Sequence, residues 1–444
     1  MNETCAAAPS FRTCCMIDGI EECGACLDGY INDFHRKTPE EPINPNPCIP
    51  VSSITNLTRY REVHDPIVFN DSRTEEEHLE ILLGHAQTIC DHNSQYPPPP
   101  FYLDINPLSL LDEQEFGRIN GHRSDFSEED KIPFHSFLEF DDFQLQSSET
   151  LPAAVNWVTA GAVTSVKNQG SCGCCWTIAT VGSVEGIMAI RSNFTFLESL
   201  SFQQIISCDN TTGQKGCGGG SLVHGILWAE GSDGNVYGGL ASDTAYPFTD
   251  ASGVTTTECL EDKDPLVVNA SETGMYVKTY YPQAYEARVA ALKGGLARQP
   301  VAVLMRANCP YVQHYSHGVM VEDPNCECGP RISGCIDHAV LMVGYNDTDE
   351  TPYFLVKNSW GAGWGEEGYF RVAQNYNGPS RWGLFGIVSQ ATAPLYAENL
   401  TAQEEPAQLD LATTAGTVTS AAGIFWGFHT VTASILSALA VFGV

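Results

Sequence analysis

Basic residues are scarce in this 444-residue chain: Lys+Arg number 22 against 54 Asp+Glu, a formal net charge of −32. A field of that sign repels phosphate backbones and excludes nucleic acid as an expected partner. It suits an acidic compartment, where protonated carboxylates relieve self-repulsion. A leader is also missing: Met1-Asn2-Glu3-Thr4-Cys5 has no basic stretch and no apolar run. No signal peptide is visible there, and the expectation is that the sequence begins after the true start. There is no internal repeat. Long uncharged apolar runs are lacking until the last 21 residues, Ile424 to Val444, which carry only His429 as a titratable side chain. That length suits a bilayer-spanning helix. Small residues just upstream (Thr419 to Gly423) suit a cleaved lipid-anchor signal equally well, and a tail with neither role is the third reading. No cysteine follows Cys335.

Cysteine is otherwise plentiful, with 17 between Cys5 and Cys335. Eight Asn-x-Ser/Thr triplets accompany them, at Asn2, Asn56, Asn70, Asn193, Asn210, Asn269, Asn346 and Asn399. Together they favour an oxidising, secretory route and a glycoprotein. Residues 1–55 hold Cys5, Cys14, Cys15, Cys23, Cys26 and Cys48 and read as a small disulfide-stapled segment. The spacing Cys23-Gly24-Ala25-Cys26 also suits a metal or redox pair, though no second pair stands nearby. From Thr74 to His92, Leu79, Leu82, Leu83, Ala86 and Ile89 recur at helical spacing behind Glu75, Glu76 and Glu77. Pro97 to Pro100 end that helix, and a second amphipathic piece runs from Pro107 to Arg118. Residues 120–150 are acidic and read as a connector.

The texture changes at Leu151, and one α+β domain is expected from 151 to 392. The apolar run Cys175 to Ile190 suits a buried helix. Val301–Leu304, Ala339–Val343, Tyr353–Val356 and Gly368–Val372 read as strands. Residues 393–423 are a low-complexity Ala/Thr/Glu linker, and 424–444 are the apolar tail.

The chemistry lies in four ordered blocks: Gln169-Gly170-Ser171-Cys172-Gly173-Cys174-Cys175-Trp176, Cys217-Gly218-Gly219-Gly220, Ile336-Asp337-His338-Ala339 and Asn358-Ser359-Trp360-Gly361. With Leu151-Pro152-Ala153-Ala154-Val155-Asn156-Trp157, which looks like a mature N-terminus, these resemble the papain-like, cathepsin L-like cysteine proteases over roughly residues 75–390. The resemblance implies a two-lobed fold, with a helical left lobe carrying the nucleophile helix and a β-barrel-like right lobe. A small, mainly helical inhibitory pro-region (56–150) precedes it. It implies an endopeptidase without a cofactor or metal. Cys175 is the expected nucleophile, at a helix N-terminus that favours its thiolate. His338 is the expected base and acid, Asn358 its orienter, and Gln169 the oxyanion donor beside the Cys175 backbone N–H. Asp337 is then a neighbour that tunes charge, and Cys174 a free, partly buried thiol where the family usually has a small residue.

By the same resemblance, Gly219 and Gly220 form a strip that pairs with an extended peptide. Ser221, Leu222, Leu304, Ile336 and Ala339 line an apolar pocket for the residue two before the cut, and Trp364 walls the far side. Cys172–Cys217 and Cys208–Cys259 are the expected disulfides. Phe385 stands where the family has its last cysteine, so Cys309, Cys326, Cys328 and Cys335 are expected to pair locally. The insert around His314 and His317 reads as an elaborated loop or a zinc site. In the pro-region, Ile89, Asn93, Asp104, Asn106, Leu108 and Glu113-Gln114-Glu115-Phe116 fit the family's pattern, while His78, Leu82 and His85 stand where Arg, Phe and Asn are usual. Acid is expected to loosen this segment by protonating paired carboxylates. The expected partners are peptide or protein substrates and the chain's own pro-region. The expected location is a lysosome or vacuole, or outside the cell, with membrane attachment through the tail as an option. A catalytically silent, peptide-binding surface protein on the same scaffold is the competing reading, motivated by Cys174 and the irregular cysteines.

Overall fold

The computed structural model describes residues 57–64, 66–67, 73–93, 95, 99–121, 151–210, 213–229, 231, 239–256, 258–260, 268–269, 275–280, 285–323, 326, 328–329, 332, 334–375 and 380–396. Four short strands precede them: β1 (Cys14–Ile17), β2 (Ile20–Cys23), β3 (Tyr30–Asn32) and β4 (Cys48–Pro50), paired as two antiparallel ribbons. The cysteine pairing expected in residues 1–55, the linker 393–423 beyond Tyr396 and the apolar tail lie outside the described residues. The chain divides into residues 1–400 and 401–444, and every described residue belongs to the first unit. No helix among the described residues is long and apolar enough to cross a membrane.

Helix α1 (Thr58–Val63) leads into α2 (Glu75–Asn93). Thr74 starts α2 with a reciprocal cap: its hydroxyl accepts from the Glu77 N–H at 3.2 Å, and the Glu77 carboxylate accepts from the Thr74 N–H at 2.6 Å. Leu82, Ala86, Ile89 and Cys90 are its buried stripe. Asn93 ends the helix and holds the next segment, exchanging hydrogen bonds with both backbone groups of Leu103 (2.9 and 3.0 Å). Strand β5 (Phe101–Leu103) follows the prolines. The amphipathic piece expected from Pro107 to Arg118 divides in two. A turn occupies Pro107–Leu110, and α3 begins only at Glu113 and runs to Ile119. Asp112 sets that start, because its carboxylate accepts from the Glu115 N–H in a second capping box.

The rest of the chain builds α4 (Trp157–Ala160), α5 (Cys175–Arg191), α6 (Phe202–Cys208), α7 (Leu222–Ala229) and a large sheet. Its strands include β6 (Ala154–Asn156), β9 (Met275–Tyr280), β10 (Val301–Met305), β11 (Tyr315–Met320), β12 (His338–Asn346), β13 (Tyr353–Lys357), β14 (Tyr369–Ala373) and β15 (Ala391–Tyr396), while β7 (Gly239–Leu240) and β8 (Val268–Asn269) form a separate pair. The order is β5-β11-β14-β13-β12-β10-β15-β9, with β6 also paired to β12. Only β11 and β14 run parallel among these pairs. The path is an open run whose outer edge is the pro-region strand β5. Strand β15 carries the domain past residue 392, to Tyr396.

The continuous apolar strands are explained by burial on both faces. In β10, Val301, Val303 and Met305 enter the core shared with the pro-region, while Ala302 and Leu304 enter the helical core. In β12, Val340 and Met342 face the first, and Ala339, Leu341 and Val343 the second. Helix α5 is buried nearly all round. Its one acid, Glu185, is compensated inside by Thr164 Oγ1 (2.7 Å), the Leu200 N–H (2.8 Å) and Lys167 Nζ (3.4 Å).

Candidate active site

Cys175 opens α5 and His338 opens β12, so one helix end and one strand end meet. The Cys175 Sγ accepts from the Ala339 N–H at 3.4 Å. His338 Nε2 lies 2.9 Å from Asn358 Oδ1, which assigns the ring proton to Nε2 and leaves Nδ1 as the buried nitrogen without a hydrogen bond. Trp360 stacks on the imidazole, with centroids 4.8 Å apart and planes at 22°. Trp364 meets Trp360 edge-on at 4.9 Å and is itself fully buried, donating to the Val312 and Gln313 carbonyls.

Gln169 is buried beside the nucleophile loop. Its amide nitrogen lies 2.7 Å from the Cys172 carbonyl and 2.6 Å from the Ile119 carbonyl, which belongs to the pro-region. Its oxygen accepts from the Ser359 hydroxyl at 2.6 Å. Sequence reasoning passed over Ser359, although it stands inside the quoted Asn358–Gly361 block.

The cleft is occupied. Gly121 accepts from the Gly220 N–H at 2.9 Å. A Cβ at Gly121 would lie 1.6 Å from the Gly173 carbonyl oxygen, so only glycine passes there. A Cβ at Gly220 would lie 2.5 Å from the Trp176 indole. Gly219 holds φ 98°, which glycine alone adopts readily. Phe116 packs edge-on against Trp360 at 5.2 Å. With water displaced, burial pushes the Cys175 thiol up to about 12, partly offset by the Ala339 and Gly121 N–H groups. Burial likewise pulls His338 down to about 4 against the opposing Asn358 hydrogen bond. Both groups are therefore neutral in this closed state.

Leu222, Leu304, Ile336 and Ala339 share one buried cluster, joined by Cys328, Ile332, Cys335 and Trp382. Ser221 is buried next to them, its N–H donating to Gln214 Oε1. Disulfides join Cys172 to Cys217 and Cys208 to Cys259. Four more cysteines pair locally, Cys309 with Cys326 and Cys328 with Cys335. Cys174 is free but fully buried rather than partly exposed, because it sits under the start of α5. His314 and His317 do not converge on one site: His314 faces His85 of α2, and His317 stacks on Tyr102 of β5.

A thiol at a helix N-terminus, an imidazole held by an amide and a self-derived segment across the cleft define a cysteine peptidase in its zymogen form. Residues 151–395 match the sequence model for the papain family cysteine proteases. The chain is 40% identical over 256 residues to cysteine endopeptidase Rep1 of Oryza sativa subsp. japonica, covering 57% of this chain and 61% of that one. It is 32% identical over 326 residues to vignain of Vigna mungo, covering 72% and 80%. Among solved structures, the proform of the ragweed pollen allergen cysteine protease Amb a 11 aligns with TM-score 0.57 at 28% identity, over 76% of this chain and 92% of that one. The recombinant stem bromelain precursor gives the same TM-score and identity over 74% and 94%. The chain belongs to the papain family of cysteine proteases. It is a cysteine endopeptidase made as a zymogen, acting through a Cys175 thioester with His338 as its partner.

Proposed function

We propose that Cys175, His338, Asn358 and Gln169 act together in peptide-bond hydrolysis, and that residues 56–150 are the segment removed to start it. The observation that carries this reading is the pro-region lying across the cleft, its chain running opposite to a substrate's, with its Ile119 carbonyl on Gln169 and its Gly121 carbonyl on the Gly220 N–H. Once the segment leaves, water and the α5 N-terminus favour the thiolate, and His338 takes the proton on Nδ1. The sulfur attacks the scissile carbonyl, whose oxygen becomes an anion held by the Gln169 amide and the Cys175 backbone N–H. Collapse breaks the C–N bond while His338 returns its proton to the leaving amine. Water then attacks the thioester, giving up a proton to His338, and the thiol is regenerated as the acid product departs.

The pocket of Leu222, Leu304, Ile336 and Ala339, with its floor near Gln390, prefers Leu, Val or Phe two residues before the cut. Gly219 and Gly220 offer backbone to an extended substrate, and Trp364 forms the wall beyond the cut when uncovered. The helical cluster on one side of Cys175 and the sheet on the other form the two lobes, the sheet curling toward a barrel. The eight triplets and the disulfides support a glycosylated product of a lysosome, a vacuole or the extracellular space. Residues 1–55 are a separate stapled segment, 397–423 a linker and 424–444 a candidate membrane segment or anchor signal.

The test is hydrolysis of dye-linked Phe-Arg and Leu-Arg peptides from about pH 4 to about pH 7 with reductant, the N-terminus being followed by mass. Turnover should appear as the N-terminus moves to near residue 150 and should be absent from Cys175→Ala. Correct processing by an added protease without turnover or active-site labelling would refute the enzyme reading in favour of a peptide-binding scaffold.

A further inference from the structure

The seam between the pro-region and the peptidase domain is built around two histidines that touch. His85 comes from α2, and His314 follows the short helix Pro310–Gln313. Their ring centroids are 4.4 Å apart. Ser109, in the turn after β5, ties them together: its carbonyl lies 3.0 Å from His85 Nδ1, and its hydroxyl 3.3 Å from His314 Nδ1. His314 is fully buried, and its Nε2 has no hydrogen-bond partner. The seam continues through Asn106, whose amide donates to the Gln313 carbonyl (2.8 Å), and through Gln313, whose amide donates to the Leu108 and Leu111 carbonyls (both 3.0 Å).

The charged groups facing the pair do little to welcome a cation. Asp112 acts on His85, but its carboxylate is engaged by Arg73 at 2.6 Å, the same arginine that holds Glu115 at 2.7 Å. The charge that acts on His314 is His85 itself. The neighbouring His317 differs, because Glu366 acts on it favourably alongside the unfavourable Arg371. The salt bridges of Arg73 also lie wholly inside the pro-region. Breaking these bridges would loosen the pro-region's own fold without breaking a bond to the peptidase domain.

We propose that the His85–His314 contact is the acid sensor of this zymogen: protonation of the two rings drives the pro-region off the peptidase domain and opens the cleft. This rests on the zymogen reading above and assigns its regulation. A proton on His314 places a cation in a fully buried site, a proton on His85 places one at a half-buried position whose nearest acid is already engaged by Arg73, and together they set two like charges in contact. Release restores water to both.

Burial lowers the affinity of both rings for protons in the docked state. Each ring therefore gains protons on release, so falling pH favours release. Above about pH 6.5 both rings are neutral in either state, and the pair adds no pH dependence. Below it, each ring raises the release equilibrium about tenfold per pH unit, until the pH reaches that ring's docked value.

The experiment uses full-length Cys175→Ala, which cannot process itself, with and without His85→Asn and His314→Asn. Asparagine keeps a donor near the Nδ1 position and does not titrate. Hydrogen exchange of residues 75–93 is measured at each pH, and the ratio of parent to variant cancels the intrinsic pH dependence of exchange. Between pH 6.5 and pH 5.5 the ratio should rise by about fivefold from His314 alone and by up to about 30-fold with both rings. A flat ratio overturns the proposal. If the double variant fails to fold, ring-labelled NMR of Cys175→Ala decides. Both rings must titrate below about pH 6.5 while docked, and a midpoint at or above that value for either ring overturns the proposal. Neither readout needs turnover, so peptide hydrolysis by the processed parent reports separately on the protease reading.

Discussion

Replacing Gly121 by Ala tests whether the pro-segment holds the cleft by close backbone contact. The new Cβ would stand 1.6 Å from the Gly173 oxygen and 2.1 Å from its carbonyl carbon, and both are backbone atoms that cannot swing aside. The segment must lift. Lifting breaks the Gly220 N–H to Gly121 carbonyl bond. One such bond contributes about 0.5–1.5 kcal/mol, a loosening of about twofold to about tenfold, to which relief of the backbone clash adds. The assay is the rate at which a peptidyl epoxide labels Cys175 in unprocessed chain at neutral pH, intactness being followed by mass. Gly84→Ala is the control, because a Cβ at that exposed α2 position meets nothing within 4 Å. It should leave labelling unchanged and stabilise the helix by about 0.5–1 kcal/mol. A Gly121→Ala rate within about twofold of the parent would refute the reasoning.

As the proposed oxyanion donor, Gln169 replaced by Ala (Gln169→Ala) should lower kcat of the processed enzyme by about 10²–10³ with KM little changed; steady-state kinetics decide. Cys174→Ser should keep turnover within a few fold, whereas Cys175→Ser should lose about 10⁴-fold or more; the contrast in epoxide labelling checks which thiol reacts. Ile89→Ala, in the fully buried stripe of α2, should destabilise the docked pro-region by about 2–5 kcal/mol, seen as earlier loss of the α2 helix in thermal or denaturant unfolding.

What was legible in the sequence was local. The α2 helix was readable because its apolar stripe and capping acids are contiguous, and β10 and β12 because burial on both faces leaves an unbroken apolar run. The blocks around Gln169, Cys175, His338 and Asn358 were readable as motifs. Other features depend on distant partners. Strand β5 is three residues long behind a proline run and exists by pairing with β11. The turn before α3 was hidden because Pro107–Leu110 continues the same apolar rhythm, and only the Asp112 cap marks where the helix begins. Gly121 carries no signal at all, because its role is set by Gly173 and Gly220 across the cleft. His85 and His314 lie 229 positions apart in numbering and meet only through docking. The local pairing of the last four cysteines was expected in outline, but which sulfur meets which required the fold.

Activation also changes the status of a strand. While β5 is in place, β11 is interior, with β5 on one side and β14 on the other. Departure of the pro-region leaves one row of β11 amides and carbonyls without partners, along Tyr315 to Gly318. Such a row is a template for another chain. The mature protease therefore inherits an adhesive margin, and it is interrupted in two places: the register slips between Tyr315 and His317, and Gly318 turns to φ 98°. A regular ladder cannot extend through that kink, so the freed margin resists zipping onto a second copy even as it becomes available to water.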